Sequence, residues 1–545
     1  MTMRLNIADH LAGMASRQPD QVALHNPVRS GLRRNLSYQS WTYNDLEREA
    51  ETLARGFLAN GFRKGERVVL MVPPSPEFFA LTFALLRIGT VPVFIDPGMG
   101  VKNIGECLRD ASPTAFIGIP KAHAARAVLG WQKGHWRKLV SVRGYVPGTI
   151  SLQKIRKSHA AASNREPTSA SDIAAILFTS GSTGLPKGAI YTQATFQAQI
   201  DTLKSVYGIK PGEVDLCTFP LFALFAPALG MTAIIPEMDF TRPAKVNPDA
   251  IYPVIQKFNV TNLFGSPALL KKLLTVDSGK LPTLRRVISA GAPVPYKVLR
   301  DFSTRLTDVA EIFTPYGATE ALPVCSIGSH EILRETANRT RVGGGICVGN
   351  PVPGVSVAIM PISDEPIPSW NSASELPVNE IGEIAACGPQ VTKSYIYRDV
   401  ATKMAKMISP DGQIWHRMGD LGYKDVHGRV WFCGRKSHRV ITADKTYFTI
   451  PCEAVFNTHQ DVERTALVGV GGRPVLCVEA ARHLSRRERR LLIIELQAIA
   501  ARFEHTKLIQ EFLFHPSFPV DIRHNAKIFR EKLQVWASQC LPATR

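Results

Sequence analysis

The stretch FTSGSTGLPKG, Phe178–Gly188, limits what this chain can fold into more than any other. It follows a short apolar run, IAAILF (Ile173–Phe178), and leads into a second strand-like run, GAIYT. Between them stand Gly181 and Gly184, the hydroxyls of Thr179, Ser180, Ser182 and Thr183, and the cation of Lys187. Glycine tolerates positive φ, so peptide N–H groups can turn inward around an anion. Hydroxyl donors and one cation complete a cradle for phosphate. The spacing excludes a Walker A loop, which needs G-x-x-x-x-G-K-[ST] opening a helix. A flexible Gly/Ser linker is the bland alternative, and the buried runs on both sides argue against it.

The flanking pattern is α/β. RVVLMV (Arg67–Val72) and VPVFID (Val91–Asp96) read as buried strands, with a helix in SPEFFALTFALLRIG between them. Such alternation indicates a sheet with helical crossovers. Leu5 to Asn60 reads mostly as helices around short loops, and Thr149–Asp172 as a polar surface linker. The α/β pattern runs to about Ser329. After the loop-rich Ile362–Gly382 come strand-like segments such as GEIAACG and GRVWFCG. Beyond Arg435 the pattern is mixed α+β. The expected organisation is a large N-terminal unit, 1–434, a hinge at 435–438 and a small unit at 439–545.

With 545 residues, the chain has room for about three or four folding units. Its net charge of +19 admits nucleic acid, membrane surfaces or anionic small molecules as partners. The densest basic run, SRRERRLLIIELQAIAARF (Ser485–Phe503), has the Ser-x-x-Glu form of a capping box followed by an apolar helical stripe. That describes a surface helix, and no nucleic-acid module is recognisable. Nine cysteines without a C-x-x-C pair point to a reducing compartment. No signal-peptide core stands at the N-terminus, and the apolar run Leu221–Pro236 is too short to cross a bilayer. The expectation is a cytoplasmic protein with at most peripheral membrane contact.

Further motifs follow the loop in order. They are SAGAPV (Ser289–Val294), YGATE (Tyr316–Glu320), RMGD (Arg417–Asp420), GRK (Gly434–Lys436) and NAKIFREKL (Asn525–Leu533). Tyr316 offers an aromatic face, Thr319 a donor and Glu320 a hard oxygen ligand suited to Mg²⁺. Asp420 can accept from a diol, and Arg435 carries a fixed charge. With TSGSTGLPK, this series resembles the adenylate-forming enzymes over nearly the whole chain. The resemblance implies ATP and Mg²⁺ as cofactors and a mobile C-terminal unit. It implies nucleotide binding by Thr179, Ser180, Gly181, Ser182, Thr183, Gly184, Lys187, Gly291, Ala292, Tyr316, Gly317, Asp420 and Arg435. Glu320 is implied as the metal ligand, with Thr319, Glu320 and Lys527 as catalytic residues. In the family a lysine matching Lys527 bridges carboxylate and α-phosphate as they react.

Three positions depart from thioester-forming members. Ala223 stands where histidine is usual, and Ser437, followed by His438, where the hinge carries Asp or Lys. Asp444 falls where a glycine lines the pantetheine path. These departures, with TFPLFALFAPALGM, TPYGATEALPV and FPVDIRHNAKIFREKL, resemble the β-lactone synthetases of bacterial long-chain olefin biosynthesis. That branch adenylates a long-chain 2-alkyl-3-hydroxy acid, whose own hydroxyl then closes the ring. It implies thiolase-like, reductase and hydrolase-type partner enzymes. The acyl pocket is expected around Phe222–Met231 and Phe264–Leu274. A long-chain acyl-CoA ligase is the alternative. A nucleotide-binding protein without catalysis and a basic nucleic-acid-binding protein rank lower.

Overall fold

In the computed structural model, which describes residues 4–30, 35–161, 165–179, 186–520 and 528–541, the apolar runs become two seven-stranded sheets of one design. The first runs Ile150–Ser151, Lys138–Ser141, Ala115–Gly118, Arg67–Met71, Val91–Phe94, Ile173–Thr179, Lys187–Thr192. All neighbours are parallel except the last pair, Ile173–Thr179 and Lys187–Thr192, which the glycine-rich loop joins. The second runs Glu311–Phe313, Arg286–Ile288, Asn262–Phe264, Val214–Cys217, Thr232–Ile234, Val22–Ser30, Asn35–Thr42, again parallel up to a final antiparallel pair. Parallel neighbours need crossovers, and helices supply them. The helix Pro76–Arg87 buries every residue but Glu77. Its terminal Arg87 is offset by Glu47 and Glu51 at 2.5 and 3.1 Å.

Two local expectations are corrected. Leu5–Asn60 is not mainly helical, because the strands Val22–Ser30 and Asn35–Thr42 lie between helices Asp9–Arg17 and Tyr43–Ala59. Pairing of Leu24 with Ala233 and of His25 with Ile234 fixes the first of these strands, so a distant neighbour decides its conformation. Thr149–Asp172 is not wholly a linker. Ile150–Ser151 is an edge strand, and Leu152–Lys157 is a helix capped by Ser151 that buries Leu152 and Ile155.

An antiparallel sheet follows, in the order Tyr316–Ala318, Ala321–Ser326, Ile346–Pro351, Val430–Arg435, Ile414–Lys424, Gly382–Cys387, Ser356–Met360. Lys406–Ile408 pairs separately with Ile414–Lys424. Beyond Arg435, Val462–Val470, Arg473–Ala480 and Glu511–Phe514 form a three-stranded sheet. Leu467, Leu476 and Val478 pack with Leu492 and Leu496 of helix Arg486–Ala501, while Ala466, Val468 and Val475 pack with Leu533 of helix Arg530–Cys540. Alternation along these strands therefore feeds two separate cores. The capping box is present: Glu488 N donates to Ser485 Oγ, and Ser485 N donates to Glu488 Oε2 at 2.7 Å. The whole is the expected α/β architecture with a smaller α+β part.

Where the chain passes from Arg435 into that smaller part, it is tied down. Lys436 Nζ donates to Ser363 O at 2.6 Å and lies 3.1 Å from Glu383 Oε1. Glu383 is buried and pairs with the equally buried Arg417 at 2.7 Å. All nine cysteines are free, eight of them buried, with Cys540 exposed near the end of the last helix. Among the described residues no helix is long and apolar enough to cross a membrane.

Candidate active site

Glu320 stands in the tight turn between Tyr316–Ala318 and Ala321–Ser326. The turn needs Gly317, since a Cβ there would come 2.5 Å from Ala321 O. Glu320 is buried, and its Oε1 accepts from the Tyr395 hydroxyl at 2.6 Å. Among the described residues no hydrogen bond reaches Oε2. The Glu320 carbonyl accepts from Thr392 N at 2.8 Å and Thr392 Oγ1 at 3.1 Å. The Thr319 carbonyl accepts from the Tyr191 hydroxyl, which ties this turn to the strand leaving the glycine-rich loop.

The segment around Tyr395 also reaches that strand. Ile190 N donates to Ser394 O at 3.2 Å and Ile396 N to Gly188 O at 2.9 Å. Lys187 Nζ lies 5.3 Å from the Tyr395 ring centroid, within cation–π range. Lys187 and Glu320 are thus gathered around one tyrosine. Thr179 and Lys187 are paired across the two strands. Ser180, Gly181, Ser182, Thr183 and Gly184 lie outside the described residues, as does Lys527.

Asp420 and Arg435 are cross-strand partners in register. Arg435 Nη1 lies 3.0 Å from Asp420 Oδ1, and the Tyr316 hydroxyl donates to Oδ2 at 2.7 Å. Burial pushes the Asp420 carboxyl above its ordinary range, against the pull of Arg435. In return Asp420, more than any other group, raises Arg435. Oδ1 is buried and, beside its ion pair with Arg435, makes no hydrogen bond among the described residues, so the carboxylate keeps acceptor capacity for a ribose hydroxyl. Tyr316, read from sequence as an aromatic face, also orients this carboxylate. Gly291 and Ala292 follow the strand Arg286–Ile288 at its carboxyl end, where parallel sheets bind ligands. Gly291 is exposed and Ala292 half-buried. Neither is hydrogen-bonded to Glu320 or Asp420.

Two buried polar groups beside this site carry no motif. Lys406 and His416 face each other as cross-strand partners. Lys406 Nζ donates to Thr392 O, and to Thr392 Oγ1 at 3.3 Å. Burial lowers the Lys406 ammonium to about 7, against the raising effect of Glu320. His416 shares Nδ1 with Ala405 O at 3.1 Å, so that nitrogen carries the proton. Burial, then Lys406, Lys187 and Arg435, hold His416 well below the usual histidine range. The one sequence signal was a lysine opening a short strand that pairs into a buried sheet.

The two segments expected to line an acyl pocket do meet. Phe222 stacks on Phe264 at 4.3 Å between ring centroids. From there Phe225, Phe196 and Tyr191 continue ring to ring at 6.2, 6.2 and 4.9 Å. Tyr191 is the donor to Thr319, so an aromatic file connects the Glu320 turn to the apolar segment. Ala223 is buried at the end of the short helix Pro220–Ala223, whereas Ser437 and Asp444 are exposed.

No group of three or more His, Cys, Asp or Glu residues that could hold a metal occurs among the described residues. Glu320 offers a single carboxylate with one oxygen open. That matches how Mg²⁺ binds, through one or two carboxylates plus substrate phosphates.

The sheets, their order and their helical layers are those of an adenylate-forming enzyme, and the chain belongs to the AMP-binding enzyme family, whose model matches residues 11–396. It is an ATP-dependent, AMP-forming enzyme. The chain is 47% identical to the olefin beta-lactone synthetase of Stenotrophomonas maltophilia, over 99% of each chain. It is 45% identical to that of Xanthomonas campestris, over 99% of this chain and 98% of the relative. The fold matches the O-succinylbenzoate coenzyme A synthetase of Bacillus subtilis in complex with ATP and magnesium ion. That match has a TM-score of 0.74 at 20% identity, covering 96% of this chain and 98% of the other.

Proposed function

We propose that this chain is a β-lactone synthetase that adenylates a long-chain 2-alkyl-3-hydroxy acid and closes it, in olefin biosynthesis. The observation that carries this reading is near-full-length kinship with two olefin beta-lactone synthetases. The substrate carboxylate attacks the α-phosphorus of ATP, the bond to the β-phosphate oxygen breaks, and pyrophosphate leaves. In this reading Lys187, with Thr179, Ser180, Gly181, Ser182, Thr183 and Gly184, holds the outer phosphates. Asp420 takes the ribose through its carboxylate, while Arg435 and Tyr316 fix Asp420. Gly291, Ala292, Tyr316 and Gly317 border the base. Thr319 donates to the α-phosphate, and Lys527 bridges it to the carboxylate. Mg²⁺, held by Glu320 and the phosphates, would supply neutralising charge at the leaving oxygens. Such a step needs positioning and charge neutralisation more than covalent help from the protein.

The β-hydroxyl oxygen then bonds to the activated carbonyl carbon. The acyl–phosphate bond breaks, AMP leaves, and the hydroxyl proton is released. The nucleophile is tethered to the acyl group, so proximity drives closure without a second substrate. The aromatic file from Tyr191 to Phe264 supports an apolar acyl pocket that excludes water. The same reading gives thiolase-like and reductase enzymes as suppliers of the acid and a hydrolase-type decarboxylase as consumer of the lactone. It places the protein in the cytoplasm, with peripheral attraction to membranes.

The test is a product assay with Mg-ATP and a synthetic 2-alkyl-3-hydroxy acid, with and without CoA, read by NMR. A lactone formed without CoA is expected. A thioester formed only with CoA would instead make the chain an acyl-CoA ligase.

A further inference from the structure

We propose that Lys406 is a positioning residue for Glu320. From behind the site it fixes the Thr392–Tyr395 segment, and that segment orients the Glu320 carboxylate toward a divalent cation. The inference rests on the reading of Glu320 as the metal ligand.

The first argument is where the ammonium sits. Lys406 is buried, and lysines are almost never fully buried unless paired. No carboxylate pairs with it among the described residues, and both its hydrogen bonds go to Thr392. A buried donor that spends its bonds on one residue is an anchor for that residue.

The second argument is the direction of the bonds. As an ammonium Lys406 has no acceptor, so the Thr392 carbonyl and hydroxyl oxygen both accept from it. The Thr392 hydroxyl proton is therefore free to point only away from Lys406, and the Glu320 carbonyl lies 3.1 Å from Oγ1. Thr392 N converges on the same carbonyl at 2.8 Å. Both acceptors of Thr392 are taken by Lys406, and both of its donors hold the Glu320 main chain. A few residues on, Tyr395 donates to Oε1 of the side chain at 2.6 Å. One short segment thus fixes Glu320 at backbone and carboxylate, and leaves Oε2 for a cation. The Lys406 Nζ is also 6.0 Å from the Tyr395 ring centroid. A neutral amine keeps two N–H groups, so both bonds to Thr392 survive in either protonation state.

The test measures metal affinity rather than turnover. Mn²⁺ is titrated into the full-length protein saturated with α,β-methylene-ATP, and free Mn²⁺ is read by electron paramagnetic resonance. Lys406→Met is expected to weaken Mn²⁺ binding about tenfold, the scale of one lost charge-assisted hydrogen bond. Nucleotide affinity measured in EDTA should stay within about threefold of wild type, because the loss lies in the carboxylate's orientation. Thr392→Val, nearly isosteric, and Tyr395→Phe should each weaken Mn²⁺ in the same sense. Should Lys406→Met fail to fold by circular dichroism, Thr392→Val and Tyr395→Phe decide the matter. Glu320→Gln separates the two layers. If it keeps wild-type Mn²⁺ affinity, Glu320 is not the metal ligand and both readings fall. If it loses Mn²⁺ while the Lys406 and Thr392 variants keep it, the positioning role is overturned and the ligand reading stands.

Discussion

Asp420 receives a neutral hydroxyl from Tyr316 and a charge from Arg435, and the two are not interchangeable. Tyr316→Phe removes the only hydrogen bond to Oδ2 among the described residues and leaves a buried carboxylate short of a donor. A hydrogen bond to a charged group contributes about 1.5–3 kcal/mol. The ATP KM should accordingly rise by about tenfold or more, which initial-rate kinetics at fixed acid would read. Lys406 gives a second residue-scale expectation. Its folded pKa is about 7 against an ordinary 10.5. Between those values the unfolded chain binds more protons than the folded one, so stability rises with pH across that window. Wild type should gain melting temperature relative to Lys406→Met between about pH 7 and about pH 9. Parallel curves for the two proteins would show that Lys406 is not depressed. His416 acts in the same sense lower down: kept neutral when folded, it loses stability for the protein as pH falls below its ordinary 6.5.

At the scale of elements, Val430–Arg435 passes close to helix Thr449–Phe456. Gly434 turns there at φ +122°, and a Cβ would overlap Thr449 Oγ1. Gly434→Ala should cost about 1–3 kcal/mol of stability, read by denaturant titration. Ser485→Ala, which removes the cap of helix Arg486–Ala501, should cost about 1 kcal/mol by the same measurement. The strands and the capping box could be read in advance because local composition decides them: IAAILF is apolar throughout, and Ser485–Glu488 satisfies its own backbone. The strand Val22–Ser30 could not, because it contains Pro27 and its conformation is set by Thr232–Ile234, far along the chain. The same holds at the site. Tyr316, Glu320, Asp420 and Arg435 sit in compact motifs whose order carries meaning. Thr392, Tyr395, Lys406 and His416 are scattered through TKSYIYRDVATKMAKMISPDGQIWH, and only strand pairing and the Lys406–Thr392 hydrogen bonds make them neighbours.

At the scale of the molecule, we place the boundary between the two units at Arg435, and Lys436 is the first residue past it. Its bonds to Ser363 and Glu383 hold the segment we propose as a hinge against the antiparallel sheet. Glu383→Gln would leave Arg417 and Lys436 without their shared counter-charge, and breaking a buried pair in this way costs about 3–5 kcal/mol. Lys436→Ala keeps the Arg417–Glu383 pair and should instead loosen the hinge alone. Hydrogen exchange should then quicken across residues 435–439 with the melting temperature little changed. The distribution of thiols makes such motion observable without engineering. Eight cysteines are sealed in the cores, and Cys540 is outside, on the helix that follows the Lys527 segment. A maleimide dye added to the native protein should label that one position, giving an optical reporter of the smaller unit during turnover.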